Sequence, residues 1–294
     1  MKVINHIKMT EPMNKSEIEK PLLKNAESVS KENEQEIKLW NGLVLSKDKL
    51  FIPGYIPYIG NEYLNSKPKI INYALSQNLH PNYDFVVRFA NNWKTKNNIE
   101  ETLNRQNTSF ENSGMVQIHP FDTGHLPILS GILIYLTTKN KNIDPLSKIS
   151  ATNLSKFSFR DGKNGTTDNE ISLNKCYDWF TKNELEILNP DYIICAGNRV
   201  YNIIRKNIIK LDINSKPILV KFPSLQVING LKRPLTIEDE KKIKLIISIF
   251  SNEFLNRESS YKNKKKLIEI IKRDGYYFVK MFESIEEQIK KYYV

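Results

Sequence analysis

The chain has 294 residues, of which 40% are hydrophobic and 26% charged, the composition of a soluble globular protein with one large domain or a core with appendages. Its longest apolar-looking stretch, Leu126 to Leu136, is too short to span a bilayer and contains Pro127, Ser130 and Gly131. A net charge of +11 attracts polyanions, nucleic acid first among them, although the Lys-, Asn- and Ile-rich composition of an AT-rich genome yields the same balance.

The start Met1-Lys2-Val3-Ile4-Asn5 has no apolar core of a signal peptide, so a cytoplasmic, nucleoid-associated location is expected. Residues 1–48 are polar, with runs such as Lys31 to Glu36, and read as a loose or helical arm with a solvated face. Phe51 to Gly60 mixes two prolines and two glycines with large apolar residues, the mark of an ordered loop packed on the domain. Lys69 to Leu75 is a short apolar run suited to a buried parallel strand. Helices are predicted over Phe85–Trp93 and Ile128–Thr137, and a strand over Ile149–Leu154. The glycine-rich, charged segment Phe157–Asp168 reads as a surface loop.

Leu173 to Leu188 has a helical rhythm, stopped by Asn189-Pro190-Asp191. Tyr192 to Ala196 is the clearest strand; Gly197-Asn198 turns it into a helix, Arg199 to Ile209. Ile218–Phe222 is a further strand, followed by a helix over Ile237–Leu255. The tail beyond Glu258 is lysine-rich and then alternates through Gly275 to Lys280, which reads as a basic appendage. Strands alternating with helices predict a three-layer α/β/α fold with a mostly parallel central sheet. The expected division is an arm (1–48), the α/β domain (49–257) and the appendage (258–294).

Two cysteines, Cys176 and Cys195, make no disulfide framework or four-cysteine metal site and read as buried thiols. Four histidines occur, and His119 and His125 flank Pro120 to Gly124 without two further zinc ligands nearby; no metal and no cofactor are expected.

In an open parallel sheet, ligands bind outside the carboxyl ends of the strands. Three predicted strand ends deliver polar groups there: Ser76-Gln77-Asn78, Thr152-Asn153 and Pro223-Ser224. In their order, Ser76-Gln77-Asn78-Leu79-His80, Ala151-Thr152-Asn153-Leu154-Ser155-Lys156, Leu188-Asn189-Pro190 with the strand through Gly197-Asn198, and Phe222-Pro223-Ser224 resemble the motifs of the uracil-DNA glycosylase superfamily. The resemblance covers about residues 65 to 250.

That resemblance implies a uracil-DNA glycosylase-like fold and a DNA glycosylase that hydrolyses the N-glycosidic bond of a flipped, modified or damaged base. Asn78 would orient the attacking water, with Gln77 and His80 beside it in the catalytic group. Asn153 would read the base, with Tyr55 and Phe121 as stacking aromatics. Lys156, Arg160, Lys163, Lys221, Pro223 and Ser224 would contact DNA, the expected partner. Some relatives of this fold remove bulky modified cytosines from phage DNA, which makes antiviral defence one expected role and DNA repair another. Departures are plain: Ser76 stands for a glycine, Leu79 for a proline, and Phe222 for the histidine that often hydrogen-bonds the leaving base. A glycosylase-like DNA-binding module without catalysis is therefore the alternative, and a doubly wound enzyme for a nucleotide-like small molecule a third, without a phosphate-binding glycine loop. Structural readings stand beside the functional ones: Asn78 as a cap, Asn153 as a tie to loop backbone, Ser224 as a turn cap, and Tyr55 and Phe121 as packing.

Overall fold

The structure, a computed structural model, describes residues 15–33, 57–75, 125–139, 146–155, 170–221, 234–255 and 261–292. The predicted helix Phe85–Trp93 and the loop Phe157–Asp168 lie outside these residues, as does Phe51–Ile56 of the Pro/Gly loop.

Among the described residues five strands form one sheet: β1 (Tyr58–Ile59), β2 (Ile70–Ala74), β3 (Ile149–Asn153), β4 (Tyr192–Ala196) and β5 (Lys216–Val220). Their order is β1-β3-β2-β4-β5. The last four run parallel, and β1 pairs antiparallel to β3. Every residue of β2, β3 and β4 is buried, because helices cover both faces and a parallel strand then has no solvent side.

The α-helices among the described residues are α1 (Lys15–Glu32), α2 (His125–Lys139), α3 (Glu170–Cys176), α4 (Lys182–Leu188), α5 (Asn198–Ile208), α6 (Ile237–Leu255) and α7 (Tyr261–Lys291). One face of the sheet presents Ile70, Ala74, Ile149, Ala151, Ile194 and Ile218 to α2, α6 and α7. The other presents Ile71, Tyr73, Ile193 and Cys195 to α1, α3, α4 and α5. The connection from β2 to β3 carries α2 on the first face. The connections from β3 to β4 and from β4 to β5 travel the opposite way and carry their helices on the second face. A single crossover handedness requires this reversal. The result is a mixed α/β fold in three layers around a four-stranded parallel sheet.

Two terminal segments belong to this core. In α1, Ile18, Leu22, Ala26 and Val29 form a buried stripe at helical spacing on the second face. The segment 258–294, expected as a basic appendage, is instead dominated by α7, whose Tyr276 to Val279, Met281, Phe282, Ile285 and Ile289 pack on the first face. The apparent alternation was part of a helical pattern: Phe278, Phe282, Ile285 and Ile289 recur every three or four residues. A Cβ on Gly131 of α2 would stand 2.8 Å from the backbone nitrogen of Phe282, so glycine lets α2 and α7 approach backbone to backbone.

The helix expected over Leu173–Leu188 is present but contains a π-helical turn, Tyr177–Thr181, between α3 and α4. Its extra residue frees backbone groups of the helix ladder. The Trp179 carbonyl accepts a hydrogen bond from Asn25 Nδ2 of α1 at 2.8 Å, which pins α1 to the turn. Asn189 ends α4 in the left-handed region, φ 40°, and its N–H closes on Leu185 O at 2.9 Å before Pro190 forbids continuation.

Candidate functional site

The strand order reverses between β2 and β4: the chain leaves β2 toward β3 and then crosses back to β4. In open parallel sheets such a reversal marks the place, outside the carboxyl ends of the strands, where ligands bind. α5 begins at this edge, one residue after β4 ends, and points the positive end of its dipole toward it.

Asn153 is the last residue of β3 and is 5% exposed. Pairing continues past the strand, with Leu154 N–H donating to Ala74 O and Ser155 N–H to Leu75 O, both at 2.8 Å. The backbone that carries Asn153 is therefore held against the end of β2 on two successive residues. Register places Asn153 opposite Ala74, and Ala196 opposite Val220. Together they form the last row on the first face of the sheet. Its central members are alanines, so the row is low at the switch point and rises to an amide at one side.

Across the reversal, Gly197 turns the end of β4 into α5. Its φ of 89° and ψ of 162° suit glycine alone, and its N–H donates to Val220 O at 2.8 Å. The first helical turn then exposes Asn198 and Arg199, and Lys221 is exposed at the end of the neighbouring β5. This stretch of the rim carries positive charge.

No family model, curated protein or solved structure matches this chain.

Of the residues singled out in the sequence, Asn153 and Lys221 lie at this edge, at the ends of β3 and β5 and on opposite sides of the switch point. Gln77, Asn78, His80, Tyr55, Phe121, Lys156, Arg160, Lys163, Pro223 and Ser224 lie outside the described residues. Both cysteines are buried and unpaired with one another. Burial pushes the Cys195 thiol far above its ordinary range, which keeps it protonated and unreactive. Among the described residues no three His, Cys, Asp or Glu side chains converge as a metal site would require.

Two buried polar features escaped the sequence reading. Asn72 is fully buried in the middle of β2, one row below Asn153 on the same face. An amide interrupting Ile70-Ile71 and Tyr73-Ala74 was its signal. The second is a pair on the opposite face: Tyr73 Oη donates to Glu184 Oε2 at 2.7 Å, with Glu184 only 3% exposed. Burial and then the Glu184 carboxylate push the Tyr73 phenol well above its ordinary value. Glu184 lies four residues after Phe180 and four before Leu188, so a carboxylate on the buried stripe of a helix was legible in the spacing.

Proposed function

We propose that this protein is a DNA glycosylase of the uracil-DNA glycosylase type, acting on a modified or damaged base flipped out of DNA. The observation that carries the reading is Asn153. It is a buried amide on firmly held backbone, at the end of the strand beside the switch point, in one row with the small side chains of Ala74 and Ala196. An amide offers donors and an acceptor together, which matches the edge of a pyrimidine. The parallel α/β sheet and the basic rim at Arg199 and Lys221 support the same reading.

The chemistry follows from the residue types. Glycosidic hydrolysis passes through an oxocarbenium-like sugar, and the base leaves with developing negative charge. Asn78 takes no proton at neutral pH but orients a water, which suffices for a dissociative transition state. Positive helix ends, backbone N–H groups and His80 stabilise the departing base. Extruding the nucleotide costs a few kcal/mol, offset by stacking on aromatics such as Tyr55 or Phe121 and by edge hydrogen bonds to Asn153. Lys156, Arg160, Lys163 and Lys221 neutralise phosphates, while Pro223 and Ser224 approach the minor groove.

The test incubates the protein with unmodified and modified phage DNAs and identifies released base by mass spectrometry. Asn78→Ala is expected to lower release about a hundredfold or more while DNA binding survives. Asn153→Asp is expected to change the ranking among oligonucleotides that each carry one candidate base. Full turnover by Asn78→Ala, or an unchanged ranking for Asn153→Asp, removes that residue from its role. Phe222 in place of the common histidine favours a second reading, a DNA-binding module without turnover. Salt-sensitive binding with no base released from any DNA selects it.

A further inference from the structure

β5 is the outer strand of the sheet, and its alternate residues face different partners. Lys216 N–H donates to Asp191 O at 2.9 Å and Val220 O accepts from Gly197 N–H at 2.8 Å, so positions 216, 218 and 220 turn their backbone toward β4. Pro217 and Leu219 therefore turn outward, where an edge strand presents unpaired groups. Proline has no N–H to present, and the Pro217 carbonyl accepts from Tyr292 Oη at 2.9 Å. Leu219 is matched on both groups by one side chain of α7. Its N–H donates to Gln288 Oε1 at 3.1 Å, and its carbonyl accepts from Gln288 Nε2 at 2.6 Å. The amide stands where the peptide group of another strand would pair. Nε2 also donates to Ser284 O and Ser284 Oγ, each at 3.2 Å, and this set of contacts fixes which way the amide faces.

We propose that Gln288 is a positioning residue for the end of β5, holding Lys221 where it meets a DNA phosphate; this rests on the DNA reading above. Two grips converge on adjacent residues. Gly197 holds Val220 from the inner side, Gln288 holds Leu219 from the outer side, and Lys221 is the next residue out. A lysine contacts phosphate as a point charge on a flexible stem, so its reach depends on where its backbone stands. With the outer grip gone, β5 keeps its bonds to β4 but its end gains sideways freedom at the rim.

The experiment compares the full-length protein with Gln288→Met, which keeps the volume and apolar stem but removes both hydrogen bonds to Leu219. Amide exchange at Leu219 is expected to rise about tenfold, the scale of one lost hydrogen bond, while Ile193 and Ile194 in β4 stay protected. The dissociation constant for duplex DNA at low salt is expected to rise several-fold. Base release at saturating DNA stays unchanged. Lys221→Met is expected to weaken binding by a similar factor, and the double variant Gln288→Met with Lys221→Met to add nothing further. A merely structural role would instead lower melting temperature and saturating rate together. Unchanged exchange at Leu219 overturns the proposal, as does raised exchange with unaltered DNA affinity. If wild-type protein binds no DNA, the DNA reading fails and takes the role of Lys221 with it. Exchange at Leu219 then still decides separately whether Gln288 grips the strand.

Discussion

Removing one hydroxyl, in Tyr73→Phe, isolates the interaction between the centre of the sheet and α4. The Tyr73 phenol donates to Glu184 Oε2 at 2.7 Å, and both residues are buried. Phenylalanine fills the same space, so no cavity forms and the apolar contacts of the ring remain. What is lost is a hydrogen bond to a carboxylate in a low-dielectric layer, which contributes about 1.5–3 kcal/mol. For a chain of this size roughly 2–4 °C of melting temperature accompanies each kcal/mol, so a drop on the order of 3–12 °C is expected. The assay is urea denaturation with a double-mutant cycle. Glu184→Gln keeps an acceptor for the phenol without the charge. Tyr73→Phe in that background is therefore expected to be milder, leaving a coupling of about 1 kcal/mol. A Tyr73→Phe protein within about 0.5 kcal/mol of wild type, or strict additivity in the cycle, refutes the reasoning.

The neighbouring hydroxyls behave oppositely. Tyr177 Oη and Thr181 Oγ1, both buried in the π-helical turn, have no hydrogen-bond partner among the described residues. Tyr177→Phe and Thr181→Val are thus expected to be neutral or to stabilise by up to about 1 kcal/mol, and a loss comparable with that of Tyr73→Phe shows that these groups are paired. Gly131→Ala places a methyl 2.8–2.9 Å from backbone atoms of Phe282 and Met281, whereas Gly275→Ala meets the side chain of Ile243. The first is expected to destabilise by about 1–3 kcal/mol in chemical denaturation and the second by less, because a side chain yields more readily than a backbone; the reverse order contradicts the packing of α2 on α7. Burial raises the phenols of Tyr63, Tyr73, Tyr177 and Tyr277 above their ordinary value of 10. Above pH 10 the unfolded tyrosines release protons that the folded ones retain, so stability falls as pH rises, by up to about 1.4 kcal/mol per pH unit for each group. Denaturation midpoints that stay level from pH 9 to 11 contradict this.

Three strands were legible as short apolar runs bounded by turn residues: Ile70–Ala74, Ile149–Asn153 and Tyr192–Ala196 fall where periodicity and Asn-Pro or Gly-Asn punctuation put them. The strand expected over Ile218–Phe222 instead runs Lys216–Val220, its start set by pairing with β4, and Tyr58–Ile59, read as loop, pairs with β3 because the partner strand supplies what so short a run lacks. The helix Ile237–Leu255 has its start written in Thr236 and Asp239, whose side chains each bond the other's backbone N–H at 3.2 and 2.9 Å. Of the polar residues read at strand ends, Thr152 and Asn153 are described, and they stand at the carboxyl edge. For α7 the pattern misled, since Gly275 and four consecutive buried residues disguise a helix that is covered on several sides. For the π-helical turn no local signal exists, because one inserted residue is tolerated only through contacts such as Asn25 with Trp179.

The sequence by itself determined that this is an α/β protein with a parallel sheet, and where its three central strands lie, since both follow from local hydrophobic period and turn chemistry. Strand order, the joining of α1 and α7 to the core, the Tyr73–Glu184 pair and the grip of Gln288 on Leu219 were decided only in three dimensions. Each depends on groups brought together from far apart in the chain: 111 residues separate Tyr73 from Glu184 and 69 separate Leu219 from Gln288. No local pattern encodes such pairings. They arise when backbone and side-chain polar groups, shut away from water by the packed layers, must find partners wherever the layers bring them.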